Sequence, residues 1–199
     1  MNRAINYHYF HWGPFLYKAS LSKEEIKKIK KLCSKKSKDY RINLAGLLKH
    51  EHLLDVKEMF PIIFPYVNSY IQAYLDYGVK KDIGKNPKIE LKDSWVNYMT
   101  KFESNPLHTH DEDLSFVIYT EIPKDLKKEV QNTPGNTKPG WINFMYTLGI
   151  KKYYINSHMF EPKVGDLFIF PASLHHSVNH FQSEGERVSV SGNLKIING

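Results

Sequence analysis

Two histidines stand one residue apart in Pro106-Leu107-His108-Thr109-His110-Asp111-Glu112-Asp113, and His175, His176 and His180 follow far downstream. In extended backbone, residues i and i+2 share a face about 6.5–7 Å apart, close enough for two side chains to converge on one ion. His108 and His110 meet that condition, and so do His110 and Glu112. A third ligand from a neighbouring strand completes a facial set and leaves positions open for further ligands. Imidazole and carboxylate in an open site suit non-heme Fe(II) better than structural zinc, which takes four closed ligands. One histidine alone is ordinarily a satisfied core or surface group. Two at this spacing beside three acids, with more histidines after a Gly-Asp…Phe-Pro stretch, point to a metal.

The elements that must position these residues divide near residue 90. Before it, Ser22-Lys23-Glu24-Glu25 is a capping box, followed by Ile26, Ile29, Leu32 and Cys33 at helical spacing. A second helix is expected over 53–77, with Phe60, Ile63, Phe64, Val67, Tyr70, Ile71 and Tyr74 as its buried stripe. Pro61 and Pro65 should break or kink its first half, so that it starts near Phe60 instead. Gly78 is the expected C-cap, and residues 80–88 read as a polar connector. From about residue 89 the pattern is β, with strands expected over 94–102, 114–122, 141–147, 153–161, 166–170, 175–181 and 187–196. Residues 131–140 read as a long loop. The expectation is one domain over 1–199: a mainly helical support region (1–88) and a β core (89–199) built as a sandwich or jelly roll. The helices would cover one outer face of the sheets.

A family resemblance attaches to these segments. Gly165-Asp166-Leu167-Phe168-Ile169-Phe170-Pro171-Ala172-Ser173-Leu174-His175-His176-Ser177-Val178, followed by Arg187-Val188-Ser189, resembles the C-terminal signature of the 2-oxoglutarate/Fe(II)-dependent oxygenases. Upstream, Asp93-Ser94-Trp95-Val96-Asn97, His108-Thr109-His110 and Leu114-Ser115-Phe116-Val117-Ile118-Tyr119 resemble a 2OG-Fe(II) oxygenase family frequent in phage and marine bacterial genomes. Leu44-Ala45-Gly46 resembles that family's N-terminal region, while Phe116 stands where the family favours glycine. The resemblance implies a double-stranded β-helix flanked by two or more helices, with Fe(II) as cofactor and 2-oxoglutarate as co-substrate. It implies a hydroxylase that couples decarboxylation of 2-oxoglutarate to oxidation of a substrate C–H bond, with no catalytic side chain beyond the metal centre.

Carried over by position, His176 is the distal ligand and His175, one residue out of phase, points away. Arg187 meets the far carboxylate of 2-oxoglutarate, for which a guanidinium fork is better matched than lysine. Ser189 shares its face, and Tyr98 and Tyr119 are further candidates to donate hydroxyls to that ligand, against a plain core role. Two metal registers stay open. His108, His110 and His176 give three neutral imidazoles, which the family alignment favours. His110, Glu112 and His176 restore the usual carboxylate, which charge balance favours.

Composition narrows the alternatives. The single cysteine, Cys33, excludes an internal disulfide and reads as a small core residue in a reducing, cytoplasmic compartment, which the phage resemblance extends to that of an infected bacterial cell. No run of 18 apolar residues exists, so a membrane is not an expected partner. The N-terminal octapeptide has no apolar core for a secretory signal. The formal charge is +7, much of it between Lys23 and Arg41. That stretch could meet nucleic acid, but without interleaved aromatics it reads better as a solvated helix face. The competing functions are a cupin-like three-histidine dioxygenase or isomerase without 2-oxoglutarate, and a β-sandwich binding module with incidental histidines. The primary substrate is not legible; loops 131–140 and 151–156 are the expected places for its recognition.

Overall fold

The computed structural model describes residues 13–77, 87–146 and 155–197. Its elements run β1 (Tyr17–Ser20), α1 (Lys23–Leu32), β2 (Glu51–Leu53), α2 (Val56–Asp76), β3 (Lys88–Met99), β4 (Asn105–His108), β5 (Leu114–Glu121), α3 (Leu126–Asn132), β6 (Ile142–Met145), β7 (Ser157–Phe160), β8 (Asp166–Pro171), β9 (His175–Val178) and β10 (Arg187–Ile197). Six strands form one sheet in the order β1-β8-β5-β10-β3-β2, and four form another in the order β4-β9-β6-β7. Every pairing is antiparallel. This is the mainly β jelly roll with N-terminal helices that the sequence led us to expect.

Side-chain alternation along the central strands sorts residues onto two faces. Leu114, Phe116 and Ile118 of β5, Leu167 and Ile169 of β8, and Val188 and Val190 of β10 pack with Ile26 and Ile29 of α1 and Met59, Ile63 and Val67 of α2. Their neighbours Val117, Tyr119, Phe168 and Phe170 face the other way and join Ile142, Phe144 and Val178 of the small sheet. Each large side chain withdrawn from water contributes about 1.5–3 kcal/mol. The helices therefore clamp one face of the large sheet, and its other face closes the space where the site lies.

Local signals explain most of the helical boundaries. Ser22 and Glu25 form the expected reciprocal cap of α1. Cys33, the residue that ends it, packs partly buried with its thiol donating to the Ile29 carbonyl. Asp55 caps α2 by accepting from the Lys57 amide. The expected break at Pro61 and Pro65 does not occur, for α2 is helical through both. Each proline orphans the carbonyl four residues earlier, on Lys57 and on Pro61, and both residues are exposed, so water can satisfy those oxygens. Met59 joins the buried stripe, whereas Phe64 stays 38% exposed.

Region 1–88 is less purely helical than expected, because β1 and β2 add edge strands to the large sheet. These segments and β4 are three or four residues long, too short for a sequence pattern to mark them as strands. Residues 131 and 132 belong to α3 rather than to the loop that follows. The Gly78 cap, the N-terminal octapeptide, most of the 80–88 connector and the first four residues of the 151–156 loop lie outside the described residues.

Phe116, the departure from the family's glycine, has a local remedy. It pairs across the sheet with Gly192, where an added Cβ would stand 2.7 Å from the Phe116 ring and 2.6 Å from the Asp93 carbonyl oxygen. The large residue has its space because the small one faces it. Gly192→Ala should therefore destabilise the protein by about 1–3 kcal/mol, seen as a lower urea midpoint with an unchanged slope.

Candidate metal and co-substrate site

β4 and β9 run antiparallel at the mouth of the small sheet, with His108 and His176 as direct partners. Their ring centroids are 4.2 Å apart. His110 lies two residues beyond His108, just past the end of β4, where its amide donates to the Ala172 carbonyl at 2.9 Å. That bond, rather than continued strand pairing, turns its ring inward, 5.1 Å from His108 and 5.2 Å from His176. One ligand atom from each of the three lies within 4.8 Å of the other two.

The ring nitrogens are already sorted. Nδ1 of His108 lies 2.7 Å from the Pro106 carbonyl, and Nδ1 of His176 lies 2.9 Å from that of Leu174. A carbonyl only accepts, so each Nδ1 carries the proton and Nε2 keeps its lone pair for a metal. Burial lowers the pKa of all three: His108 falls below its usual value, His110 to about 4 and His176 to about 3. Proximity to His108 adds to the effect on the other two, while Asp111 opposes it at His110 and the Leu174 carbonyl at His176. At neutral pH the cluster is three uncharged imidazoles with free lone pairs, a donor set that fits Fe(II).

Behind the histidines lies a buried cation. Arg187, at the start of β10, is 1% exposed, and its Nε and Nη2 have no hydrogen-bond partner. Its guanidinium carbon stands 4.7 Å over the Tyr119 ring, and among the described residues no acid pairs with it. Burial lowers its pKa, with Tyr119 opposing; burial likewise raises that of Tyr119, with Arg187 opposing. A buried, unpaired guanidinium costs several kcal/mol unless an anion reaches it. The cavity that Arg187 lines is shared with His108, His110, His176 and Ser189, so a ligand carboxylate can meet both the cation and the metal site.

The remaining expectations separate cleanly. Ser189 faces the cavity and accepts from Asn97 at 3.4 Å. Tyr119 is fully buried with an unpartnered hydroxyl beside Arg187. Tyr98 is not brought to the site: it is one residue out of phase with Asn97 on β3 and packs beneath the helices, with Lys35 over its ring. Glu112 is not brought to the cluster either. The backbone bends after β4, so alternation ends before residue 112, and Glu112 turns outward to Lys195 at 3.8 Å. His175 lines a different surface cleft, with Met145 and Tyr146.

Sequence reading passed over Glu51, Trp95, Asn97, Asn105 and Ser191, all of which line the cavity along with Leu44, Ala45 and Gly46. Ser191 and Asn97 were available from i+2 alternation with Ser189 and Trp95; Glu51, in a three-residue strand, was not. Burial raises the Glu51 pKa to about 7, with Glu103 adding to the shift and Arg41 opposing it.

Comparison with known proteins gives the family and the fold. Residues 93–193 match the family described as "Putative 2OG-Fe(II) oxygenase", and the chain belongs to that family. The fold is similar to that of a Pseudomonas putida prolyl-4-hydroxylase, with a TM-score of 0.56 at 12% identity over 94% of both chains. It is also similar to HygX from Streptomyces hygroscopicus with nickel and 2-oxoglutarate bound, with a TM-score of 0.53 at 10% identity over 92% of this chain and 82% of that one. A further match, 24% identical over 132 residues, is to Mediator of RNA polymerase II transcription subunit 7-A of Xenopus laevis; it takes in 64% of this chain and spans 55% of that protein's length. No described helix is long and apolar enough to cross a membrane.

The depressed histidine values carry a stability consequence. When the folded pKa lies below the unfolded value of about 6.5, the unfolded chain takes up protons first, and stability falls with falling pH in that window. His110, with a folded value of about 4, should cost the metal-free protein stability as pH drops from 6.5 towards 4. His110→Asn removes that titration. Urea unfolding of both metal-free proteins should show the wild type losing stability relative to the variant across this range, and a constant difference would contradict it.

Proposed function

We propose that the protein is an Fe(II)/2-oxoglutarate-dependent dioxygenase that hydroxylates a C–H bond of its substrate. The observation that carries the reading is Arg187, a buried cation without an acid, in the same cavity as three neutral imidazoles. His108, His110 and His176 would hold the metal through Nε2. Arg187 would fork onto the distal carboxylate of 2-oxoglutarate, with Ser189 and the Tyr119 hydroxyl beside it as further donors. Val117, Ile142, Phe170 and Val178 line the cavity and exclude water from it. When bound, iron and 2-oxoglutarate would let dioxygen act as the oxidant, one oxygen atom going to the succinate formed from 2-oxoglutarate with loss of carbon dioxide and the other to the new hydroxyl of the substrate. The chain's own contribution is orientation and dryness.

A cupin-like dioxygenase could use the same three imidazoles without 2-oxoglutarate, but it would leave the Arg187 charge unanswered. The free Cys33 accords with a reducing, cytoplasmic setting, here including a phage-infected cell. Of the basic stretch, Lys30, Lys35 and Arg41 already pair with Glu121, Glu186 and Asp39, which favours a solvated face over a nucleic-acid contact.

Anaerobic addition of Fe(II) and 2-oxoglutarate should produce the visible charge-transfer band of their chelate. Arg187→Met should weaken 2-oxoglutarate binding by about 2–5 kcal/mol while leaving iron content unchanged, whereas His176→Ala should lose the iron. Iron binding without the band in wild type, or a band indifferent to Arg187→Met, would overturn the 2-oxoglutarate assignment.

A further inference from the structure

One row of side chains crosses the inner face of the large sheet. Glu51 on β2 pairs with Asn97 on β3, Asn97 with Ser189 on β10, and Ser189 with Tyr119 on β5. Tyr119 marks the Arg187 end of the row. Glu51, on the outermost strand, marks the other end. It is a carboxyl only 1% exposed, its Oε2 has no hydrogen-bond partner, and neither the metal nor the co-substrate has any use for it.

Its neighbours have the same deficit. Asn97 is 4% exposed; its amide nitrogen is spent on Ser189, and its Oδ1 has no partner. Asn105 Oδ1 is likewise buried and unpartnered. The Glu51 and Asn105 oxygens converge at Gly46: a Cβ there would sit 2.6 Å from Glu51 Oε1 and 2.6 Å from Asn105 Oδ1. Directly opposed residues in an antiparallel pair hold their Cβ atoms about 4.5–5.5 Å apart, which puts Asn97 beside Glu51 on the same face. Glu51 Oε2, Asn97 Oδ1 and Asn105 Oδ1 are therefore three acceptor oxygens at the β2 end of the cavity that no donor of the protein reaches.

Buried acceptors left without donors are costly, and the ligand that answers all three is one that donates repeatedly and accepts nothing. An alkylammonium offers three N–H donors and no acceptor; a hydroxyl offers one donor and brings its own lone pairs. We infer that Glu51, Asn97 and Asn105 form a substrate subsite for a protonated primary amine, which holds a carbon of the amine-bearing chain towards the three histidines. The placement of oxidation within the substrate rests on the oxygenase reading above; the amine subsite itself does not. Gly46 belongs to this subsite because any side chain there would displace the two oxygens.

The test uses the full-length, metal-free chain, so that it stands apart from iron and 2-oxoglutarate binding. Saturation-transfer NMR is recorded with n-butylammonium, n-butanol and n-butyrate in turn. Transfer to n-butylammonium should exceed that to the other two at least fivefold, and Glu51→Gln should reduce it to the butanol level with the circular dichroism spectrum unchanged. Asn105→Ala, at a less buried position, should weaken the amine signal several-fold and serves as the second reading should Glu51→Gln lose its fold. No transfer to the amine, equal transfer to butanol or butyrate, or an amine signal that survives in the variants would overturn the subsite. Loss of the iron and 2-oxoglutarate band with amine binding intact would instead count against the oxygenase reading alone.

Discussion

A guanidinium sealed inside protein with no acid beside it costs the folded state stability until something the chain does not provide reaches it. Arg187 has an aromatic ring beneath it and unpartnered nitrogens, and it sits at the first residue of the central strand β10. An electrostatic debt of several kcal/mol at such a position persists only if a ligand settles it. The three histidines narrow the ligand. A small dicarboxylic acid that also chelates a metal answers the cation and the imidazoles together, and a simple anion answers only the first.

The fold creates this arrangement by alternation. Strand β10 sends Val188 and Val190 into the helix-side core and Arg187, Ser189 and Ser191 into the cavity. Strand β3 does the same with Val96 and Tyr98 against Trp95 and Asn97. Packing α1 and α2 against one face of the sheet fixes the register, because a slip of one residue would turn the polar set onto the helices and the apolar one into the cavity. Opposite, the small sheet contributes only short strands, yet pairing His108 with His176 is enough to set two of the three clustered imidazoles. Stability and function share the same strands, facing opposite ways.

How much of this was legible in the sequence follows from the length of each signal. The long strands β5 and β10 and the capped helix α1 carry repeated cues, and they lie close to where periodicity placed them, whereas β3 begins at Lys88 rather than at residue 94 and ends at Met99 rather than at residue 102. The distal histidine and Arg187 sit in a run whose family likeness is specific. The signals failed where a single local bond outweighs a pattern. Strand phase treated His110 and Glu112 as equivalent partners, but the chain bends after β4, and the His110 amide bond to Ala172 decides which of them turns in. Tyr98 was placed one residue out of phase. The prolines of α2 were expected to break a helix whose exposed side tolerates them. Glu51 lay beyond reach because β2 has three residues, and its meaning comes only from what lies beside it in space.

The most direct test of the account is a crystal structure of the anaerobic complex with Fe(II) and 2-oxoglutarate. The account predicts iron on the Nε2 atoms of His108, His110 and His176, with Glu112 still on the surface and the distal carboxylate of the co-substrate forked onto Arg187. Iron bound through Glu112, or a co-substrate whose carboxylate lies away from Arg187, would contradict it.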